Sequence, residues 1–201
     1  MALTVITPPA VLSYPALVRP RLPPNPRPGQ EAVYGATLVF PVDADLTALK
    51  TVAMQALNEK FGAEEVAKML KATPPKLRVP FRKDADKYDP NKYGVFINVS
   101  NKQKPGIVDR YAGPDGKPAV LTDLDKIYPG CFVKASLSVY TYDQNGNKGV
   151  AFGLQHLQWW ADGERLDSRS NAADAFTAEA RPEADLKSSA AAGSDLNDLL
   201  G

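Results

Sequence analysis

Apolar and polar residues alternate strictly along two stretches of this chain. In Tyr93–Asn101 and its continuation, one parity carries Tyr93, Val95, Ile97 and Val99, and the other carries Phe96, Asn98, Ser100 and Lys102. In Cys131–Tyr142 one parity carries Cys131, Val133, Ala135, Leu137 and Val139. The other carries Phe132, Lys134, Ser136, Ser138, Tyr140 and Tyr142. A period of two predicts strands with one face in a core. Ala32–Phe40 and Gly149–Trp160 are rich in β-formers and predict two more strands. Asn145-Gly146 supplies the turn that folds the last of these back on Cys131–Tyr142.

Helical spacing occurs once at length. Leu46, Leu49, Val52, Ala53, Ala56, Leu57 and Phe61 recur at three- and four-residue steps up to Gly62, with Asp43 or Asp45 placed to cap the start. Glu64–Leu70 predicts a short second helix, which Pro74-Pro75 stops. Lys76–Arg82 predicts a short strand, Lys83–Lys92 a charged loop, and Gly113-Pro114-Asp115-Gly116 a turn within Val108–Leu121. The pattern predicts a mainly β domain, a small barrel or a sandwich of mostly antiparallel strands, with one long helix and a short helical insert.

Two segments stand apart. Eight prolines between residues 8 and 28 remove backbone donors, so residues 1–30 are expected to form a Pro-rich extended arm rather than a central strand. Val11, Leu12, Tyr14, Leu17 and Val18 can still lay that arm against the body as an edge. Residues 168–201 are Ala, Ser, Asp and Glu with few large apolar groups, which predicts a disordered acidic tail. The expected domain is therefore 31–167.

The formal net charge of +1 over 201 residues names no partner by itself, but its distribution does. From Asn171 onward six acids face two bases, leaving 22 bases and 17 acids in the body. A basic body with an acidic tail fits a polyanion partner, or a tail that competes for the same surface. Cys131 is the single cysteine, so no internal disulfide forms and a reducing compartment is expected. Residues 1–6 lack the pattern of a signal peptide, and no apolar run reaches membrane-spanning length, so a soluble, cytoplasmic protein is expected.

Enzyme chemistry finds little support. His156 is the single histidine and has no nucleophile motif near it. Cys131 reads as a small buried thiol. Asp84-Ala85-Asp86-Lys87-Tyr88-Asp89 begins like a calcium loop but has Tyr88 at the third ligand position and Asp89 where the turn glycine belongs. Asp123 and Asp125 fall in a loop before Pro129-Gly130. No phosphate loop is present, and one cysteine with one histidine cannot build a zinc cluster. The expectation is a non-enzyme with no cofactor and no metal.

The outward parities of the two strands carry rings, lysines and small polar groups. Rings stack on bases of any identity and lysines neutralise phosphates, so this composition suits single-stranded nucleic acid. Half-exposed Tyr and Lys also occur on any antiparallel sheet. Trp159-Trp160 predicts one indole in the core, the other being a stacking platform or a cover for the arm.

Several blocks, in order, resemble a family of phage single-stranded DNA-binding proteins. They are Asn98-Val99-Ser100-Asn101-Lys102-Gln103-Lys104-Pro105-Gly106-Ile107-Val108-Asp109, then Ile127 to Ser136 running on through Tyr140 to Val150, then Gly153-Leu154-Gln155-His156-Leu157-Gln158 and Asp162-Gly163-Glu164. The resemblance covers about residues 30–176. It implies an OB-fold-like antiparallel barrel that coats single strands during phage replication and recombination, in the host cytoplasm. It also implies an acidic C-terminus that contacts replication or recombination proteins or limits binding. Trp159-Trp160 and the proline arm depart from the family pattern.

The candidate single-strand contacts, chosen from strand alternation, are Phe96, Tyr140 and Tyr142 for stacking. Lys102, Lys104, Lys134 and Lys148 are the candidates for phosphates, with Arg110 as a weaker one. Asn98, Ser100 and Ser136 are candidates for hydrogen bonds. Asp195, Leu196, Asp198, Leu199 and Leu200 form the candidate partner-binding tip. A homo-oligomer is compatible with this reading. The competing class is a protein-interaction or virion accessory module without nucleic-acid binding.

Overall fold

Strict alternation becomes a barrel when the apolar faces of several strands close on one another. The computed structural model describes residues 3–23, 25–26, 28–74, 76–144 and 146–167. Its elements are β1 Leu3–Ile6, β2 Ala10–Arg21, β3 Val33–Pro41, α1 Thr47–Phe61, α2 Ala63–Lys71, β4 Leu77–Arg78, β5 Tyr93–Asn101, β6 Gly106–Ala112, β7 Pro118–Val120, β8 Phe132–Gln144 and β9 Asn147–Ala161. The expected acidic tail and its tip lie outside the described residues.

Five strands form a ring in the order β2-β3-β5-β9-β8, and β8 closes it by pairing with β2. The contacts are antiparallel except β5 with β9, which meet in parallel at Ser100 and Gly153. Of the barrel and the sandwich that the pattern left open, the chain forms the barrel, the OB-fold-like form that the resemblance implied. β1 adds to β8, while β4 and β6 add in parallel to β9 and β7 extends β6.

Inside the ring lie Leu12, Leu38, Phe40, Ile97, Val133, Leu137, Leu154 and Leu157, all fully buried or nearly so. α1 covers this core with Leu49, Ala53, Ala56 and Leu57, and packs against β1, β8 and β9. The cap of α1 expected of Asp43 or Asp45 is not formed: the N-cap is Leu46, without a side-chain cap, and Asp45 Oδ1 accepts the Thr47 N–H at 2.9 Å from the position before Leu46. Cys131 is fully buried, and that burial pushes its thiol up to about 11.

One expected boundary is corrected. Residues 1–30 are not an arm outside the domain, because β2 is a ring strand bonded to both β3 and β8. Val11, Leu12 and Leu17 are buried. The prolines are tolerated because Pro15 and Pro20 fall inside the two register irregularities of the β2–β3 ladder, between Ser13 and Ala16 and between Ala16 and Arg21. Tyr14, with φ 48°, turns the chain at the first of these.

The charged loop after β4 folds back over the outside of the barrel. Tyr88 is buried there with Val11, Val39 and Phe96, flanked by Tyr93 and Phe132. Its hydroxyl donates to Ser13 Oγ at 3.2 Å, and burial raises its pKa above the ordinary phenol value. Lys87 lies 4.5 Å from the centroid of the Tyr14 ring. The loop thus hides one half of the sheet's outer surface and leaves the other open.

Two outcomes are expected in urea denaturation. Tyr88→Phe loses one neutral hydrogen bond, about 0.5–1.5 kcal/mol, whereas Tyr88→Ala also vacates the cluster and costs about 3 kcal/mol or more. Equal losses would show that the ring does not pin the loop. The second outcome concerns pH. The unfolded thiol ionises near 9 while the native one holds its proton to about 11. The unfolded state then binds fewer protons, so stability falls as pH rises through that window, by at most about 1.4 kcal/mol per pH unit. That component should be missing from the pH profile of Cys131→Ala.

Candidate nucleic-acid interface

On the open half of the outer surface, small residues line up across six strands. The cross-strand partners run Ala16, Gly35, Ser100, Gly153, Ser138 and Thr4, from β2 through β3, β5, β9 and β8 to β1. The glycines are required by close approach. A Cβ at Gly153 would fall 2.6 Å from Ser138 Oγ, and one at Gly35 would fall 2.6 Å from the Val99 carbonyl oxygen. Ser100, Gly153 and Ser138 of this row form the floor of an open depression also lined by Val33, Asn101, Lys102, Tyr140 and Gln155. Gln155 Nε2 donates to Ser138 Oγ at 3.0 Å, and Asn101 Nδ2 donates to the Leu154 carbonyl at 2.8 Å. These bonds leave the floor flat and its polar groups fixed.

Of the expected contacts, Ser100, Lys102 and Tyr140 meet at this depression. Tyr140 is 50% exposed. Lys134, Ser136 and Tyr142 share its face of β8, because Lys134, Ser136 and Ser138 alternate with buried Val133, Ala135 and Leu137. The strip from Lys134 to Tyr140 is about 20 Å long at ~3.4 Å per residue. Tyr142 is half-buried, and its ring lies so close over β9 that a Cβ at Gly149 would meet the hydroxyl at 2.5 Å. Asn98 is on the same face of β5 as Ser100, and its Oδ1 accepts the Thr37 hydroxyl at 2.8 Å. Lys104 is exposed in the turn after β5.

Two expected contacts are corrected. Phe96 has the outward parity but is only 8% exposed, because Tyr88 packs on it with ring centroids 5.4 Å apart. It cannot stack on a base while the loop is in place. Lys148 pairs in register with Asp143, on the parity of buried Val139 and Phe152, so it belongs to the core-facing side of the hairpin. Its ammonium lies 3.9 Å from the Asp143 carboxylate and 5.3 Å from the Phe61 ring of α1.

The cations differ in what holds them. Lys102 Nζ lies 2.6 Å from Glu31 Oε2, and this hydrogen bond and charge hold the Glu31 carboxyl below its ordinary pKa. Lys134 instead lies 3.7 Å from the centroid of the Trp160 ring. Arg110 lies 4.4 Å from the same ring and donates from Nη1 to the Trp160 carbonyl at 3.0 Å. Trp159 is in the core and Trp160 is outside, so the indole pair divides as the sequence suggested.

Sequence reasoning missed Gly153 and Gln155, and left Ser138 out of the chosen contacts although its parity marked it. His156 is exposed opposite Ser136, and its Nδ1 accepts the Gly106 N–H at 3.3 Å. Among the described residues no three His, Cys, Asp or Glu side chains converge as a metal would need. Nor is any helix there long and apolar enough to cross a membrane.

Comparisons with known proteins agree with this architecture. The family described as "Enterobacter phage Enc34, ssDNA-binding protein" matches residues 3–186. A relative called "Putative protein p50", from Acyrthosiphon pisum secondary endosymbiont phage 1, is 30% identical over 122 residues, which is 58% of this chain and 61% of that protein. The match therefore spans less than two-thirds of the relative's length. Among solved structures, the single-stranded DNA-binding protein from bacteriophage Enc34 is 22% identical with a TM-score of 0.54, covering 87% of this chain and 90% of that one. The same protein in complex with ssDNA is 21% identical with a TM-score of 0.56, covering 82% and 89%. Gp2.5, a single-stranded DNA-binding protein encoded by bacteriophage T7, is 16% identical with a TM-score of 0.54, covering 90% and 99%. At these identities the structural likeness carries the fold, and the family match carries membership. The chain belongs to the family of the Enterobacter phage Enc34 ssDNA-binding protein.

Proposed function

We propose that this chain binds single-stranded DNA with little sequence preference and coats strands exposed during phage replication and recombination. The observation that carries the reading is the open strip on the outer face of β8, β9 and β5. There Tyr140 and Lys102 border a floor of glycine and serine, and Lys134 stands farther along the same face of β8. Family membership and the ssDNA complex of one structural relative support it.

In this reading an unpaired strand lies along β8. Tyr140 stacks on a base, and Tyr142 extends the platform. Lys134 and Lys104 meet phosphates, while Ser100, Ser136 and Ser138 hydrogen-bond to backbone oxygens. The glycine and small serines of the floor let the strand approach the sheet closely. Lys102 reaches phosphate by exchanging its Glu31 partner for a stronger polyanion, which releases counterions and makes binding fall with salt. No bond is made or broken, so no catalytic residue, cofactor or metal takes part.

The acidic segment 168–201 acts as a tethered competitor for this basic strip, at the effective concentration its tether sets. Its tip, with Leu196, Leu199 and Leu200 among Asp195 and Asp198, docks replication or recombination proteins.

Oligo-dT titration at low salt tests the reading. The chain should shift the oligonucleotide, and Tyr140→Ala should weaken binding by about 1–3 kcal/mol with an unchanged melting curve. Lys148→Ala, on the other side of the hairpin, should leave affinity intact. No shift at all would favour a protein-interaction or virion accessory module instead. In a separate measurement, removing residues 177–201 should tighten oligo-dT binding, most clearly at low salt. An unaltered Kd would end the idea of competition.

A further inference from the structure

Resting on the single-strand reading, we propose that Trp160 seats Lys134 and Arg110 as one phosphodiester subsite at the far end of the strip from Tyr140. The register produces this seat. Phe132 pairs with Ala161 and Val133 with Trp159, so Trp160 has no partner on β8 and is the extra residue of a bulge. Trp160 follows buried Trp159 and so points out of the barrel by alternation. The bulge leaves it there without a neighbour on β8.

Two cations use that indole. The Lys134 ammonium stands 3.7 Å from the ring centroid and the Arg110 guanidinium 4.4 Å from it. Arg110 is fixed at a second point by its bond to the Trp160 carbonyl. Among the described residues neither cation forms an ion pair, whereas Lys102, Lys126 and Lys148 each lie beside a carboxylate. Asp109, the acid next to Arg110 in sequence, faces Lys126 instead.

The distinction is physical. A carboxylate holds a cation by cancelling its charge. An aromatic face holds it through a quadrupole that carries no net charge. The indole therefore holds two like charges 3.7 Å and 4.4 Å from one ring centre, no more than about 8 Å apart, and leaves both available to an anion. Lys134 shares the face of Ser136, Ser138 and Tyr140, so a strand stacked at Tyr140 can run along β8 to reach this point. The ligand class is the phosphodiester backbone, because the ring's quadrupole is already engaged by cations. Trp160 is a positioning residue in this scheme.

The test is a salt titration of oligo-dT binding with the full chain. For a single strand, every phosphate that the protein no longer neutralises lowers the slope of log K against log salt by about 0.7. Trp160→Leu exchanges one neutral side chain for another, yet should lower the slope by about 0.7–1.4. Trp160→Phe, which keeps a ring, should lower it less. Arg110→Gln and Lys134→Ala should each lower it by about 0.7, and Lys134→Ala made in the Trp160→Leu chain should add little. A Trp160→Leu chain with weaker binding but an unchanged slope would mean the indole stacks on a base, and the proposal would be overturned. Should that variant not fold, an unchanged slope in folded Arg110→Gln overturns it equally. Tyr140→Ala, run in parallel, should lose affinity at constant slope. Failure of the unsubstituted chain to bind would instead remove the single-strand reading, and this subsite with it.

Discussion

Backbone pairing between β8 and β9 runs from Phe132 opposite Ala161 to Gln144 opposite Asn147, and the rest of the molecule is arranged around that ladder. It supplies one wall of the barrel and, on its reverse side, the exposed strip. Because side chains alternate along each strand, Leu137 and Val139 cannot enter the core without Ser138 and Tyr140 standing outside it. The apolar burial that stabilises the fold therefore also fixes the spacing of the candidate binding groups. Where the ladder slips, at Ser136/Leu137 and at Phe132/Val133, the partner strand carries Gln155 and Trp160 as its extra residues. Both of these side chains belong to the outer surface.

Much of this was legible in the sequence where periodicity was strict. β8 alternates without interruption, and β5 does so from Val95 onward, so those faces follow from counting. At the start of β5 the ladder slips opposite Phe40 and Pro41, and Tyr93, expected on the core parity, joins the outer Tyr88 cluster instead. β9 was harder, since the extra residue Gln155 reverses the parity after it, so that counting from buried Phe152 would put Trp160 inside. β2 was misread because proline density signals an excluded strand, and nothing local reveals that Pro15 and Pro20 fall where the ladder is already broken. Phe96 illustrates another limit. Its outward parity was read correctly, but its cover comes from Tyr88, held through Ser13 at a sequence separation of 75 residues. Lys148 was read as a phosphate contact, but pairing with Asp143 gives it the opposite side.

Cations on the two sides of the β8–β9 hairpin are held in two ways, and the sequence shows neither. Glu31 neutralises Lys102 from the loop between β2 and β3, and Asp143 does the same for Lys148 within the hairpin. Lys134 and Arg110 are ordered on an aromatic ring. A count of lysines treats all of these as equal. Their surroundings divide them into cations that must give up a partner before meeting a polyanion and cations that need not.

Gly35, Gly149 and Gly153 lie on the side of the sheet that faces away from the core, where substitution is ordinarily cheap. Here even a methyl group would strike backbone or a neighbouring side chain. The exterior of the barrel thus acquires a pattern of permitted change that otherwise belongs to interiors. Larger side chains therefore fit around these three positions and not at them, a limit set by contact on the outside of the barrel as it is for a buried leucine within.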